Sequence, residues 1–178
     1  MAWNSSIFDD KAPSRALCAV WSLSYLTPPK ILKKPRQKLS LAPVIDSATP
    51  WGFFNGASQD HTCGGGSLLL IYERNFYTMS LGLGKGTNNF VEIMSLKFLL
   101  ILSTELRCHV LFVFSGSMNV INWTKGTQLY LNIRLSFILE DINSLRNHFD
   151  PFLCHHVYRS HNKEVDKDSK EGLCLEFG

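Results

Sequence analysis

The spacing of apolar positions changes along the chain, and the change predicts strands first and a helix next. Short apolar runs at 51–57, 67–72 and 76–83 are separated by glycine-containing or polar stretches. They predict three strands joined by short loops, which is an antiparallel meander. Apolar residues then recur at helical spacing and predict a long helix that starts near Glu92: Phe90, Val91, Met94, Phe98, Ile101 and Leu102.

The second half of the chain predicts a strand, two helices, a further strand and a closing helix. The run 109–114, apolar after its first residue, predicts a fourth strand, and a strand reached through a helix usually lies parallel to an earlier one. Segments 119–124 and 132–149 predict two helices, 151–158 a fifth strand and 162–173 a charged closing helix. The order βββαβααβα predicts an α/β fold with a mixed five-stranded sheet, three strands antiparallel and two parallel, flanked by helices.

The first quarter of the chain has a different composition. Residues 1–48 hold seven Lys and Arg against three Asp and Glu, whereas the rest holds eleven against twelve, so the net charge of +3 comes from the start of the chain. The stretch 30–38 carries five bases around a proline, and further prolines follow. We predict a basic tail or linker over 1–48, a domain over 49–174 and a short tail over 175–178. The basic stretch fits a solvated linker, a nuclear-import signal or phosphate contacts.

Cysteine usage and hydropathy restrict the compartment. The five cysteines are odd in number and widely spaced, which favours free thiols in a reducing compartment over a disulfide framework or a zinc site. No apolar run reaches the ~18 residues that a membrane helix needs. The run 16–26 has the length of a signal-peptide core, but no clean cleavage site follows. We expect an intracellular protein, nuclear or cytoplasmic, without a membrane partner or a small-molecule cofactor, and a monomer.

Four positions fall where α/β sheets place their sites, at the carboxyl ends of strands and the starts of helices. The first predicted strand ends at Asn55, the fourth ends within 114–117, and Glu92 and Asp166 stand near the starts of two helices. Three of these positions also have an ordinary structural interpretation. Glu92 pairs with Asn89 as a helix-capping box, Asp166 is a solvated helix residue, and Asn55 begins a plain turn.

Two other patterns suggest chemistry only weakly. The stretch 82–86, GLGKG, lacks the Lys-Ser/Thr ending of a phosphate-binding loop. His155 and His156 are neighbours on a predicted strand, so their side chains point to opposite faces and cannot share one metal ion.

Six motifs in order resemble a known family. They are PWGFFNGAS, CGGGSLLLIY, LGKGTNNFVE, VFSGSMNVINW, NIRLSFILEDI and HVYRSHNKEVDKDSKEGL, of which GTNNFVE is the most specific. Over residues 50–174 the chain resembles the type 1 ribonuclease H domain, in the form associated with plant non-LTR retrotransposon reverse transcriptases. The resemblance implies a ribonuclease H-like sheet and Mg²⁺-dependent hydrolysis of the RNA strand of RNA–DNA hybrids.

The resemblance also implies a site of four carboxylates around two Mg²⁺ ions. Matched residue by residue, Glu92 and Asp166 are present as metal ligands, whereas Asn55 and Gly116 stand where the family has aspartates. Hard Mg²⁺ prefers charged oxygens, so this degenerate site is expected to bind Mg²⁺ weakly and to cleave poorly or not at all. Asp168 stands where the family usually has an inward leucine, and burial of an unpaired carboxylate is costly.

The same resemblance implies contacts with nucleic acid, and the contact residues match the family better than the four carboxylate positions do. The expected contact residues are Gly56, Ser58, Thr87, Asn88, Asn89 and Ser117. Two hypotheses of function result. One is a ribonuclease H with impaired or lost cleavage that still binds RNA–DNA hybrids, and the other is a non-catalytic retrotransposon-derived remnant that acts, if at all, as an interaction module for nucleic acid or protein.

Overall fold

A computed structural model describes residues 19–22, 48–72, 75–128, 133–158 and 161–175. The strands and helices, in chain order, are β1 Ala19–Ser22, β2 Trp51–Gln59, β3 Thr62–Tyr72, β4 Asn75–Lys85, α1 Asn88–Glu105, β5 Leu111–Ser115, α2 Met118–Thr124, α3 Ile133–Arg146, β6 Phe152–His156 and α4 Lys163–Leu173. Among the helices of these ranges, none is long and apolar enough to cross a membrane.

The strands form one mixed sheet in the order β1-β4-β3-β2-β5-β6. β2, β3 and β4 are antiparallel, whereas β5 runs parallel to β2 and β6 runs parallel to β5. This confirms the predicted meander of three strands followed by two parallel strands. β1 adds an antiparallel edge strand beside β4, inside the segment that the sequence assigns to the tail. Residues 1–18 and 23–47 of that predicted tail lie outside the described residues.

The first hairpin turns later than the sequence predicts. β2 continues through Asn55 and Gly56 to Gln59, which pairs with Thr62, so the prediction that the strand ends in a turn at Asn55 is wrong. Asp60 and His61 make the turn with φ of 49° and 66°. Two successive residues at positive φ match the twist of a two-residue hairpin, and Asp tolerates that region better than most residues. The glycines of β3 therefore pair along their length and do not form a loop.

The main core lies between the sheet and α1. Phe54 of β2, Leu69 of β3 and Val113 of β5 are completely buried together with the inner side of α1, and α3 packs against the outside of α1. Lys97 of α1 and Asp141 of α3 join the two helices by an ion pair of 2.6 Å. α4 packs on the other face of the sheet, over β3, β4 and β2.

α1 begins earlier than the sequence predicts, and with a different cap. Thr87 is the N-cap, since its Oγ1 accepts a hydrogen bond from the Phe90 backbone N–H at 3.2 Å. The predicted capping box of Asn89 and Glu92 is wrong, because Asn89 already lies inside the helix. Glu92 therefore lies in the second turn, on the buried side of the helix.

Three successive glycines let helices approach β3 from both faces. A Cβ on Gly66 would collide with the Val165 carbonyl oxygen and lie 2.6 Å from the Ser169 backbone nitrogen, so α4 rests directly on the strand. A Cβ on Gly65 would instead lie 2.5 Å from Ser95 Oγ of α1. The run CGGG is thus a packing device, because only glycine leaves room for such close contact.

Candidate functional site

Asn55 points from the middle of β2 toward α4. Its Nδ2 donates one hydrogen bond to Asp166 Oδ1 at 3.1 Å and another to Ser169 Oγ at 3.3 Å. The structure therefore brings together two of the four positions that the resemblance matches to carboxylates. They meet as an amide donor and a carboxylate acceptor, not as two negative charges.

The second oxygen of Asp166 has a different partner. Lys170 Nζ lies 2.6 Å from Asp166 Oδ2, one helical turn further along α4. Ser169 Oγ donates to the Asp166 backbone carbonyl at 2.9 Å, which leaves its lone pairs for the Asn55 amide. Asp166 thus has an identified donor on each carboxylate oxygen, and both donors belong to this chain.

Glu92 lies beside the same part of β2, on the other face of the sheet from α4. A Cβ on Gly56 would lie 2.6 Å from Val91 Cγ1 and 2.7 Å from the Glu92 backbone nitrogen, so α1 touches β2 next to Asn55. Glu92 is 7% exposed. This close approach by itself accounts for a glycine at position 56.

Gly116 follows the last residue of β5. β5 lies parallel to β2, and the last pair of their register is Phe53 with Phe114, two residues before Asn55 on β2 and two before Gly116. Ser115 is completely buried, and its Oγ accepts a hydrogen bond from the Ser117 backbone N–H at 3.1 Å. The strand end is therefore fixed by a local turn, but Gly116 contributes no side chain to the site.

The expected nucleic-acid contacts fall at two places. Ser117 is the N-cap of α2, just beyond β5, although its side chain makes no capping bond. Ser58 and Thr87 lie near each other, since Cys63 Sγ donates to Ser58 Oγ at 3.6 Å and lies 3.9 Å from the Thr87 carbonyl oxygen. The exposed Asn88 follows Thr87 at the start of α1, and the half-buried Asn89 comes next. Polar residues of the hairpin and of the α1 start thus lie close together.

Asp168 is on the inward flank of α4, as the sequence predicts. Its Oδ2 is buried and has no hydrogen-bond partner among the described residues. Burial, with smaller contributions from Glu171 and Glu164, raises its pKa to about 6, although Lys167 opposes the shift. The charged carboxylate therefore loses favourable hydration on folding at neutral pH. The leucine expected from the resemblance carries no charge and would have no such cost.

The donor set does not fit a pair of Mg²⁺ ions. Within the described ranges there is no group of three or more His, Cys, Asp or Glu that could hold a metal ion. Mg²⁺ demands near-ideal octahedral oxygen ligands, usually with carboxylates among them. At this site Asn55 turns its NH₂ group toward Asp166, and Lys170 already neutralises that carboxylate.

Three residues that hold this site together were missed by sequence reasoning: Ser169, Lys170 and Asn162, whose Nδ2 donates to the Phe54 carbonyl oxygen at 3.3 Å. The spacing of Asp166 and Lys170, i and i+4, was the available signal. It is ambiguous, because Lys167 and Glu171 have the same spacing and form an exposed pair at 3.4 Å.

Comparisons with known proteins agree with this architecture. The family model described as "Reverse transcriptase-like" matches residues 54–172. Among solved structures, ribonuclease H1 from the archaeon Halobacterium salinarum NRC-1 is similar with a TM-score of 0.66 and 21% identity over 71% of this chain and 98% of that one.

Two similar structures were solved with nucleic acid. LC11-RNase H1, from a compost metagenome, in complex with an RNA/DNA hybrid gives a TM-score of 0.61 and 18% identity over 71% of this chain and 97% of that one. The foamy viral protease-reverse transcriptase with an RNA/DNA hybrid gives 0.59 and 16% over 83% of this chain and 23% of that one. The curated proteins contain no significant match. At these identities the structural likeness shows the fold alone.

Proposed function

We propose that this chain, which belongs to the reverse transcriptase-like family, is a ribonuclease H-type nucleic-acid-binding domain in which hydrolysis of RNA–DNA hybrids is impaired or lost. The ribonuclease H-like fold and the family support the general class. The state of the site supports the loss of cleavage.

The hydrogen bond from Asn55 to Asp166 carries the proposal. An aspartate at position 55 would face the Asp166 carboxylate across this 3.1 Å contact, and two such carboxylates repel each other unless a cation lies between them or one of them holds a proton. The amide removes that need, because it donates a hydrogen bond instead of adding a charge. With Gly116 lacking a side chain as well, two of the four charges that attract Mg²⁺ in the resemblance are gone, and we expect weak Mg²⁺ binding.

The proposed ligand is an RNA–DNA hybrid held by its backbone. Such hybrids are recognised through shape, phosphates and the 2′-OH more than through base edges. Thr87, Asn88 and Ser58 lie on one polar surface that suits contacts of this kind. Two of the similar structures were solved in complex with RNA/DNA hybrids. The basic stretch 30–38 would add phosphate contacts that the nearly neutral domain lacks.

An interaction module for a protein partner is the second candidate. Ile133 and Phe137 are 75% and 63% exposed and stand one turn apart on α3. Exposed apolar pairs on a helix favour a protein contact over a nucleic-acid contact.

We further propose that the chain derives from the plant retrotransposon-associated form, as its six motifs indicate, and that it acts as an intracellular monomer.

Binding of the hybrid can be tested separately from its hydrolysis. Fluorescence anisotropy of a labelled RNA–DNA hybrid, compared with DNA duplex of the same sequence, measures binding at low salt. We expect a measurable preference for the hybrid and a loss of affinity when Thr87, Asn88 and Ser58 are replaced by alanine. Equal weak binding to both duplexes, unchanged by the triple replacement, would contradict the proposed ligand.

A further inference from the structure

The two oxygens of Asp166 have partners of different charge. Oδ1 accepts from the neutral Asn55 amide at 3.1 Å, and Oδ2 accepts from the Lys170 ammonium at 2.6 Å. The ammonium contact is short and the carboxylate is only half exposed, with 47% of its side chain accessible. The charge of Asp166 is therefore compensated by this chain itself.

A divalent ion and the Lys170 ammonium compete for the same oxygen. A carboxylate oxygen keeps a further lone pair, but a second cation there would lie within a few ångströms of the ammonium and be repelled by it. Lys170 has 64% of its side chain exposed, so it could move aside, but the carboxylate would then lose its charged hydrogen bond. Mg²⁺ binding therefore costs this site an interaction that already exists.

We propose that Lys170 takes the place of a divalent cation at Asp166, so that Asn55, Asp166 and Lys170 connect β2 to α4 without a metal ion. Each member of the chain of contacts has a role in it. Lys170 supplies the positive charge, Asp166 joins the two partners, and Asn55 carries the connection into the sheet. The inference concerns how the site is held together, and it stands or falls independently of nucleic-acid binding.

Lys167 provides a matched control. It lies on the same helix and forms an i,i+4 ion pair with Glu171, but that pair is longer, at 3.4 Å, and more exposed. Lys167→Met and Lys170→Met remove the same charge from the same helix, and both are made in an Asp168→Asn background because Lys167 also acts on the Asp168 carboxylate. In EDTA we expect Lys170→Met to lower the Tm by about 2 °C more than Lys167→Met does, because only Lys170 neutralises a half-buried carboxylate.

The competition itself is tested in a background with an added carboxylate. Mg²⁺ affinity is measured from the rise of Tm with Mg²⁺ concentration, up to about 10 mM at constant ionic strength, for Asn55→Asp and for Asn55→Asp/Lys170→Met. We expect the double variant to bind Mg²⁺ about tenfold more tightly, which is the size of effect that a ligand's neighbours usually have. The wild-type Tm should be the same in Mg²⁺ and in EDTA.

Three results would overturn the inference. The first is a Mg²⁺-dependent rise of the wild-type Tm that Asp166→Asn abolishes, because Asp166 would then bind the metal despite Lys170. The second is an equal Mg²⁺ response of the two Asn55→Asp variants, whether zero or positive. The third is an equal Tm for Lys170→Met and Lys167→Met in EDTA. A failure of hybrid binding would affect none of these measurements.

Discussion

Asp168 shows how one residue on the inward flank of α4 opposes folding at neutral pH. Its buried oxygen has no hydrogen-bond partner among the described residues, and its pKa is raised to about 6. A carboxyl whose pKa is higher in the folded state than in the unfolded chain destabilises the fold when it is charged, above pH 6. That cost is lost as the pH falls through 6, and it is absent where the unfolded chain is protonated too, below its ordinary value of 3.8.

Replacement of Asp168 by asparagine is therefore expected to stabilise the protein at about pH 8 by about 1 kcal/mol, which is discounted because the group is partly solvated. The gain should fall to about a third near pH 4.5, between the two pKa values, and vanish below 3.8. Urea unfolding at the two pH values measures it, and Glu140→Gln, at an exposed position of α3, is the control. An equal gain at both pH values would mean that the desolvated charge is not the cause.

Among contacts between single residues, the sequence predicts some and misses others. The resemblance pairs Asn55 with Asp166, and the structure brings them into contact. Lys170 could not be predicted, because i,i+4 pairs are common on charged helices and nothing local distinguishes a pair that faces a strand from one that faces water.

The element that depends most on close contact is α4, which rests on the glycines of β3. Gly66→Ala would drive a Cβ into the backbone of Val165 and Ser169, and backbone cannot move aside as a side-chain tip can. We expect a loss of about 3 kcal/mol, at the upper end for overpacking. Gly65→Ala is the control on the opposite face, where the nearest atom is the Ser95 hydroxyl, and it should cost less. Chemical denaturation gives both values, and an equal loss would contradict a direct contact of α4 with the strand.

The packing of helices on the glycines of β3 also explains why the end of β2 could not be predicted from the sequence, although most other elements could. Apolar period predicted the meander and the four helices, and the helical crossover predicted parallel strands after it, whereas β1 was not predicted. The end of β2 was not, because Asn-Gly and a run of glycines normally mark a turn. Here the glycines are packed between α1 and α4, and only the tertiary structure makes them a strand.

For the whole molecule, charge is divided between the start of the chain and the domain. Since 49–178 is close to neutral, hybrid binding at low salt should rely on the five bases of 30–38. Replacing these five by glutamine is expected to weaken binding and to flatten its salt dependence by about one unit of slope per lost phosphate contact. The Tm should not change. Anisotropy titrations over a range of KCl concentrations measure the slope, and an unchanged slope would show that these bases do not touch phosphate.

Binding should also be indifferent to Mg²⁺ if the site is neutralised from within. We expect the same hybrid affinity in EDTA and in Mg²⁺ at equal ionic strength for the wild-type protein. A dependence on Mg²⁺ that disappears in Asp166→Asn would place a metal in the complex and contradict the internal role of Lys170.

The most direct test of the central claim is a hydrolysis assay on an RNA–DNA hybrid in Mg²⁺ and in Mn²⁺, with protein from a host that lacks its own ribonuclease H. We expect the wild-type protein to cleave no faster than its Glu92→Gln variant. Asn55→Asp/Gly116→Asp should gain cleavage, with each ~1.4 kcal/mol of transition-state stabilisation giving tenfold in rate, and should lose it again with Glu92→Gln added. Robust metal-dependent cleavage by the wild-type protein that Glu92→Gln abolishes would show that the site is still catalytic.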